Sequence, residues 1–329
     1  MKNQNLTIVT ASDENFIFGI FLLIASLRKN NVNHKIFYLA ENIPDRSCGI
    51  LTQFNEVYIK HIDKLPAIAY QKPEAFLAAS ELGDQYLCWI DGDCFVRGDI
   101  SDFLFPEENH GLMIRFRSHQ ENPLRFSKSL SIDDSGITPE TVFEKWKTDI
   151  NENTEYRFET TTVNNCFTLD RNYLPLVNRW YDFMKQILER AMSEKTEVGF
   201  AYTHSRGFGL SDELALNAVL NFADMSIPTV GPYLLDQSQE KRLLHLGLNP
   251  KPWVRWSLSH YKYYDEIMDI IDWVNESGYQ LPSLPMGMQR KYKAIVFIQI
   301  IMEPLHRLGK RVKKLKGRVI LPKINRSFK

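Results

Sequence analysis

The chain has 329 residues, of which 44% are hydrophobic and 12% aromatic, enough to bury a substantial core in one or two domains. Its 40 basic and 40 acidic residues balance, but 13 of the basic residues and a single acid, Glu303, lie in residues 290–329. The rest of the chain has 27 basic and 39 acidic residues and is therefore acidic. This charge excludes nucleic acid as a ligand of the globular part. The basic tail suggests an anionic surface as its partner.

Cysteine usage and the amino-terminal sequence indicate the compartment. The four cysteines show no Cys-x-x-Cys spacing, which fits a reducing environment. Residues 1–5 run directly into a strand-like segment, so no signal peptide is expected. The apolar run Ala294–Met302 is interrupted by Gln299 and is too short to span a bilayer. We therefore expect a cytoplasmic protein.

Apolar segments of strand and helix length alternate along the chain. In chain order the predicted strands are Leu6–Thr10, Lys35–Leu39, Val57–Ile59, Tyr86–Ile90, Gly111–Phe116 and Thr161–Leu169. The predicted helices are Phe16–Lys29, Pro44–Phe54, Pro73–Leu82, Tyr173–Met192, Ser211–Phe222 and Tyr264–Asn275. This alternation predicts an α/β protein whose central sheet is mostly parallel and flanked by helices.

The domain organisation follows from where this alternation stops. We expect one globular domain over residues 1–285 and a basic amphipathic tail over residues 286–329. An insertion at about residues 118–160 is polar and weakly periodic, with Phe143 and Trp146 as its few anchors. It either contributes specificity on the ligand face of the fold or is a surface excursion without a function.

The sequence Asp91-Gly92-Asp93 directly follows the predicted strand Tyr86–Ile90. Two carboxylates separated by glycine can approach a hard divalent cation, which usually shares its coordination shell with substrate phosphates. The carboxyl ends of such strands are where α/β sheets bind ligands. The alternative is ordinary turn chemistry, since Asp and Gly favour turns.

Two further motifs stand near the ends of the globular part. The late one, His245-Leu-Gly-Leu-Asn-Pro-Lys-Pro-Trp253, offers an imidazole, a glycine at 247 and an ammonium at 251. The early one, Ala11-Ser-Asp-Glu-Asn15, follows the first predicted strand. Taken alone, His245 reads as a packed structural histidine rather than a ligand, and Asp13 or Asn15 can be read as a cap of the next helix.

In this order the three motifs resemble those of the family 8 glycosyltransferases. That family includes glycogenin and bacterial lipooligosaccharide galactosyl- and glucosyltransferases, and its fold is the GT-A fold. The resemblance covers roughly residues 6–256. The late motif departs from the family in having one extra residue between Gly247 and Lys251.

The resemblance implies a nucleotide-sugar site with Mn²⁺, or Mg²⁺, as cofactor. Its implied metal ligands are Asp91, Asp93 and His245. Its implied nucleotide-binding residues are Thr10, Ala11, Asp13, Asn15, Asp91, Gly92, Gly247 and Lys251. Its implied sugar-binding residues are Lys72, Asn164, Asn165 and Asp212, and its implied catalytic residues are Asp212 and Glu213.

Four positions depart from the family pattern. Lys72 stands where the family often has Arg, and a solvated Lys is the alternative reading. Asn165 and Cys166 replace smaller residues, which leaves the donor sugar open. Glu213 replaces a neutral amide, so it is a nucleophile, a hydrogen-bond acceptor for a sugar hydroxyl, or a first-turn acid that favours the helix dipole.

The expected function is therefore metal-dependent transfer of a hexose from a UDP-sugar to a glycan or lipid-linked acceptor in surface polysaccharide synthesis, with retention. The alternatives are a non-catalytic GT-A-fold nucleotide-sugar-binding protein and a sugar nucleotidyltransferase. The latter usually has a Gly-rich, basic N-terminal loop, which Ala11–Asn15 does not provide.

The tail has its own expected partner. Leu305, Leu308, Val312 and Leu315 recur at helical spacing among many Lys and Arg residues, the composition of helices that lie on membranes. We expect peripheral attachment to an anionic membrane surface, at the inner face of the membrane, and no nucleic-acid partner. A solvated or nucleic-acid-binding tail is the alternative.

Overall fold

A computed structural model describes residues 5–66, 70–101, 104–106, 111–127, 130–152, 154–155, 157–193, 212–222, 229–230, 242–247 and 249–302. Contacts between Cα atoms divide the chain into two compact units. The first unit comprises Met1–Leu246 and Ile270–Pro282, and the second comprises Gly247–Asp269 and Ser283–Lys329. This division differs from the predicted boundary between residues 285 and 286.

The first unit is built on a seven-stranded sheet. Its strands are β1 (Leu6–Ser12), β2 (Lys35–Glu41), β3 (Val57–Ile62), β4 (Tyr86–Ile90), β6 (Leu112–Phe116), β7 (Thr162–Asp170) and β8 (Thr229–Val230). They lie in the order β3-β2-β1-β4-β7-β6-β8. Among these described strands only β7 is antiparallel to its neighbours, so the predicted mostly parallel sheet is confirmed. A separate antiparallel pair joins β5 (Cys94–Val96) to β9 (Leu243–His245).

Five of the six predicted helices are present with similar bounds. The helices are α1 (Ile17–Lys29), α2 (Asp45–Cys48), α3 (Gln71–Ala79), α4 (Glu121–Phe126), α5 (Glu140–Ile150), α6 (Leu174–Ser193), α7 (Asp212–Phe222), α8 (Leu258–Tyr261) and α9 (Tyr264–Glu276). Three of them had not been predicted individually: α4, α5 and α8. The predicted helix Pro44–Phe54 is wrong in type, because α2 passes into a 3-10 helix at Gly49. Ser211, where the sequence predicts α7 to begin, lies outside the described residues.

Strand β7 departs from regular pairing beside the end of β4. On its β6 side, Ile114 pairs with Phe167 and Arg115 pairs with Val163, so residues 164–166 have no partner in that ladder. On its β4 side, Cys166 still pairs with Ile90. Bulges of this kind bend a strand and re-aim its side chains. This one lies next to Asp91, whose backbone N–H donates to the Asn165 carbonyl.

The predicted insertion is a helical excursion anchored in the core. It contributes α4 and α5, and the side chains of Phe143, Trp146 and Ile150 are buried on one face of α5. These side chains belong to the same apolar cluster as β4, β6 and β7 residues. The insertion therefore packs as part of the first unit.

Within the second unit, residues 293–302 form a helix, and the predicted amphipathic segment from Leu305 onward lies outside the described residues. None of the helices in the described part of the chain has the length and apolar character needed to span a bilayer.

Candidate active site

The two carboxylates of the Asp-Gly-Asp motif stand on a turn at the end of β4. The turn is closed by a hydrogen bond from the Cys94 N–H to the Asp91 carbonyl at 2.9 Å. A Cβ atom at Gly92 would lie 2.5 Å from Ile20 Cδ1 on the buried helix α1, so a side chain at this position would require the Ile20 side chain to move. Glycine therefore fits the close approach between the turn and α1.

The antiparallel pair β5–β9 brings the predicted imidazole to these acids. Cys94 pairs with His245, and the Leu246 N–H donates to the Asp93 carbonyl at 2.9 Å. His245 Nε2 consequently lies 3.2 Å from Asp93 Oδ1 and 3.7 Å from Asp91 Oδ2. Residues distant in sequence thus meet through backbone pairing, and the resemblance had implied that these three residues share a site.

This cluster has the donor set of a divalent-cation site. Two carboxylate oxygens and one imidazole nitrogen lie within 4.8 Å of one another. Ligands of one ion, each about 2.0–2.3 Å from it, are separated by up to about 4.5 Å, so small side-chain movements suffice. Carboxylates suit Mg²⁺ and Mn²⁺, and imidazole favours transition metals. All three side chains are therefore suitable ligands for a divalent cation.

The second oxygen of Asp91 faces away from His245 and is already engaged. Asp91 Oδ1 accepts a hydrogen bond from Trp89 Nε1 at 2.6 Å and lies 3.1 Å from Lys72 Nζ. Trp89 was not among the predicted site residues, although an indole two residues before an acid on a strand projects to the same face. Asp91 is therefore oriented by two donors, which leaves Oδ2 directed toward the metal cluster.

Lys72 connects this cluster to a third acid. Its ammonium lies 3.1 Å from Asp91 Oδ1, 2.8 Å from Asp212 Oδ2 and 3.0 Å from the Asn164 carbonyl oxygen. An ammonium has three hydrogen-bond donors, and here each has an acceptor within the protein. Burial alone would lower the pKa of Lys72, but the charges of Asp212 and Asp91 outweigh it and raise that pKa above its usual value. Lys72 therefore remains charged and is not a solvated surface lysine.

Asp212 stands at the first position of α7 and is held from three directions. Besides Lys72, Asp212 Oδ2 accepts a hydrogen bond from Asn164 Nδ2 at 2.8 Å. Its backbone carbonyl accepts one from Trp180 Nε1 of α6 at 3.0 Å. Three residues predicted to contact the sugar, Lys72, Asn164 and Asp212, are thus brought together beside the metal cluster.

Glu213 is paired with two guanidinium groups. Its Oε1 lies 2.6 Å from Arg117 and its Oε2 lies 3.3 Å from Arg125. The Glu213 side chain is only 8% exposed, and both guanidinium groups stack near the Phe126 ring. With both oxygens engaged, the carboxylate has the geometry of a structural ion pair. Neither arginine was predicted, although Arg117 directly follows the predicted strand Gly111–Phe116.

The bulge in β7 places Asn165 and Cys166 beside the acids. Asn165 Oδ1 is buried and has no hydrogen-bond partner among the described residues. A hydrogen bond to Cys88, together with burial, raises the pKa of the Cys166 thiol, so this thiol is unreactive. Asn165 and Cys166, which replace smaller residues of the family pattern, are therefore buried next to Asp91.

The early loop lies at the same edge of the sheet, because β1 pairs in parallel with β4. Asp13 caps a short 3-10 helix by accepting the Asn15 N–H at 3.0 Å, which is the capping alternative left open by the sequence. Asn15 Nδ2 donates to the second Asp13 oxygen. Thr10 Oγ1 is buried without a partner among the described residues. Ala11 is buried, so a nucleotide contact there falls to its backbone.

The predicted diphosphate contacts Gly247 and Lys251 belong to the second unit, where the Lys251 side chain is buried. Their roles stay predictions, as do the nucleotide and sugar contacts of the first unit.

Comparison with known proteins bears on the fold. No known family model and no curated protein sequence matches the chain. It is similar to the apo structure of the bifunctional glycosyltransferase WbbM, with a TM-score of 0.55 and 14% identity over 91% of this chain and 52% of that one. It is also similar to the glycosyltransferase GlyE of Streptococcus pneumoniae TIGR4, with a TM-score of 0.48 and 15% identity over 85% of this chain and 66% of that one.

The likeness to WbbM confirms the predicted GT-A type of fold, a mixed α/β architecture with a mostly parallel sheet flanked by helices. The chain spans about half the length of that bifunctional protein.

Proposed function

We propose that this protein is a metal-dependent glycosyltransferase that moves a hexose from a UDP-sugar to a glycan or lipid-linked acceptor, resembling the family 8 enzymes. The observation that carries this proposal is the convergence of Asp91, Asp93 and His245 at the carboxyl edge of β4. A fold alone does not establish a function. The donor set at the edge where such sheets bind ligands supports a nucleotide-sugar site.

The chemistry required is neutralisation of a leaving diphosphate. A divalent ion held by Asp91, Asp93 and His245 would supply a Lewis acid there. Trp89 and Lys72 hold the far oxygen of Asp91, so the carboxylate does not need to reorient when an ion binds. Such preorganisation is the main source of electrostatic catalysis.

The sugar would lie toward Asp212. Because the Lys72 donors are all used within the protein, the groups left for sugar hydroxyls are Asp212, Asn164 and Asn165. Asp212 Oδ1 accepts no hydrogen bond in the described part of the chain, and Asn165 Oδ1 is likewise unpaired there. We assign Asp212 the orientation of the sugar, and Lys72 the positioning of Asp212.

Transfer with retention needs stabilisation of the anomeric carbon on the face opposite the leaving group. Glu213, the residue after Asp212, is a candidate for this role. Its two arginine partners stabilise the carboxylate charge, however, and make it a weaker nucleophile. We therefore favour a role for Glu213 in holding the start of α7 over the role of a covalent nucleophile.

The nucleotide would occupy the edge next to β1. Thr10 and the Ala11 backbone lie beside β4, and Asp13 and Asn15 border them. Gly247 and Lys251 are proposed to contact the diphosphate on the grounds of the motif alone. The sugar-nucleotidyltransferase alternative is disfavoured because Ala11–Asn15 has neither glycines nor basic residues for a triphosphate.

We further propose a cytoplasmic protein attached to the inner face of a membrane through its basic tail. Replacing Lys310, Arg311, Lys313 and Lys314 by Gln in the full chain should weaken sedimentation with anionic vesicles at low salt, because each basic residue near such a surface contributes about 1 kcal/mol. Unchanged sedimentation at low salt would exclude the tail as the electrostatic anchor.

The decisive experiment is release of UDP from a panel of UDP-hexoses, with Mn²⁺ and with EDTA. Metal-dependent release from at least one donor is the expected result. If Mn²⁺ and UDP together raise the melting temperature while no donor is turned over with any glycan acceptor, the non-catalytic binding protein becomes the better reading.

A further inference from the structure

The second unit carries an apolar helix that is largely open to solvent. Residues 293–302 are helical, and of their apolar side chains Val296 and Ile300, one turn apart, are buried. Five other apolar side chains of this helix are at least 42% exposed: Ile295, Phe297, Ile298, Ile301 and Met302. A helix that is apolar all round is expected inside a large core or in contact with lipid.

The apolar surface continues beyond this helix. A groove of about 510 Å³ is lined by Trp253, Val254, Arg255, Met286 and Met302, among others. Val254 is 71% exposed. Phe297 packs against the ring of Tyr261 in α8, and Leu258 at the start of α8 is 77% exposed. Helix, groove and α8 therefore form one apolar face, defined by Val254, Leu258, Met286 and the outer side of residues 295–302.

This concentration is specific to the second unit. Of the 11 large hydrophobic side chains exposed among the described residues, eight lie on the apolar face. The three in the first unit, Tyr58, Leu124 and Ile137, come from separate elements. Single exposed hydrophobic residues are normal, whereas a contiguous apolar patch marks an interaction surface.

Charge decides what kind of partner fits this face. The second unit contains 16 Lys and Arg residues against four acids, so it is strongly cationic. Arg255 lines the groove itself, and the exposed Lys291 lies two residues before the helix, whereas Arg290 is paired with Asp269. A second copy of the chain would bring an equally cationic unit against the first, which charge repulsion opposes. An anionic bilayer satisfies both the apolar face and the positive charge.

We propose that the apolar face of the second unit inserts into the interface of an anionic membrane. It acts with the basic sequence that follows it: the Lys and Arg residues attract the surface, and the isoleucine, phenylalanine and methionine side chains enter it. The proposal is independent of the transferase chemistry. It also differs from attachment by the tail alone, because insertion of apolar side chains is insensitive to salt whereas attraction of charges is screened.

The test compares two variants of the full-length chain with the wild type. Ile298→Glu combined with Ile301→Glu places charges on the apolar face and leaves the basic tail intact. Leu124→Glu is the matched control, since Leu124 is 87% exposed on α4 of the first unit. Each protein is sedimented with vesicles of phosphatidylcholine containing phosphatidylglycerol, at low and at high salt.

The expected result is a loss of about tenfold or more in partitioning for the double variant at both salt concentrations, with the control unchanged, because two isoleucine side chains no longer leave water. Unchanged melting temperatures check folding, and Ile298→Ala with Ile301→Ala should give an intermediate loss. Release of UDP from a soluble donor should be the same in all variants, so this test and that of the proposed function fail separately.

Two outcomes would overturn the proposal. In the first, the double variant sediments like the wild type, which would leave the tail as sufficient. In the second, the wild type is a dimer in solution that the double variant dissociates, with no vesicle binding at high salt. The face would then be an interface between copies.

Discussion

The carboxylates of the candidate site fall into two groups that have different partners, here called the metal half and the sugar half. In the metal half, Asp91, Asp93 and His245 direct ligand atoms toward one point, with separations up to 4.8 Å. In the sugar half, Asp212 and Glu213 are each tied to cations, Asp212 to Lys72 and Glu213 to Arg117 and Arg125. Ligand atoms directed toward one point suit the binding of a cation. Carboxylates that are already paired with a cation instead orient their neighbours through hydrogen bonds.

Lys72 is the one described residue that contacts acids of both halves. Its ammonium contacts both Asp91 and Asp212, so it connects the metal half with the start of α7. The same residue type, an acid at the carboxyl edge of the sheet, can therefore serve different chemistry according to its partners. Substitutions in each half should separate the two roles.

The largest effect is expected in the metal half. Asp93→Asn should abolish Mn²⁺-dependent binding of UDP, because a neutral amide is a poor ligand for a hard cation. The fold should persist, as the turn is held by backbone hydrogen bonds. Isothermal titration with UDP, with and without Mn²⁺, measures the effect. Asp45→Asn is the control, since its side chain is 94% exposed on α2.

Binding of UDP by Asp93→Asn with the wild-type metal dependence would show that the metal half is misassigned.

The link between the halves gives the next effect. Lys72→Met leaves two carboxylates facing each other without their shared cation, which should destabilise the fold by about 3–5 kcal/mol, the cost of breaking a buried pair. Denaturant unfolding measures this loss. Lys72→Arg keeps the charge, and we expect it to retain most of the stability.

Ligand binding then distinguishes positioning from direct contact. In Lys72→Met, Mn²⁺ affinity should be preserved or increased, because a positive charge beside Asp91 is gone, while UDP-sugar affinity falls with the loss of Asp212 orientation. If Lys72→Met and the wild type had equal affinity for every UDP-sugar, positioning of Asp212 by Lys72 would not contribute to sugar binding.

Glu213 tests the sugar half. Glu213→Gln keeps the shape but removes the charge that pairs with Arg117, so stability should fall by about 3 kcal/mol. Arg125→Gln, at a side chain 56% exposed, should cost about 1 kcal/mol or less. Turnover of Glu213→Gln is expected within about tenfold of wild type, measured as UDP release with a glycan acceptor.

A fall of several powers of ten in Glu213→Gln turnover, with donor binding unchanged, would instead reinstate Glu213 as a covalent nucleophile.

The sequence predicted the strand that precedes Asp91 and Asp93, but not the ion pairs around Glu213. Asp91 and Asp93 follow a short apolar strand whose bounds, Tyr86–Ile90, were predicted as the structure has them. The ion pairs of Glu213 were not predictable, since Arg117 follows β6, Arg125 lies in the insertion, and only tertiary packing brings them to α7. The direction of β7 and its bulge were missed for the same reason: local patterning gives a strand but not its neighbours.

The smallest effect concerns the bulge. Asn165→Ala restores a small residue and removes a buried oxygen that has no partner among the described residues, a group that costs about 1–3 kcal/mol. Stability should therefore stay equal or rise slightly in thermal unfolding. If Asn165 Oδ1 accepts a hydrogen bond from a donor-sugar hydroxyl, affinity for that UDP-sugar should fall up to about tenfold while UDP affinity is unchanged. Asn164→Ala is the matched control, because it breaks the bond to Asp212 and should lower stability instead. A loss of UDP affinity equal to that of the UDP-sugar would place Asn165 at the nucleotide and not at the sugar.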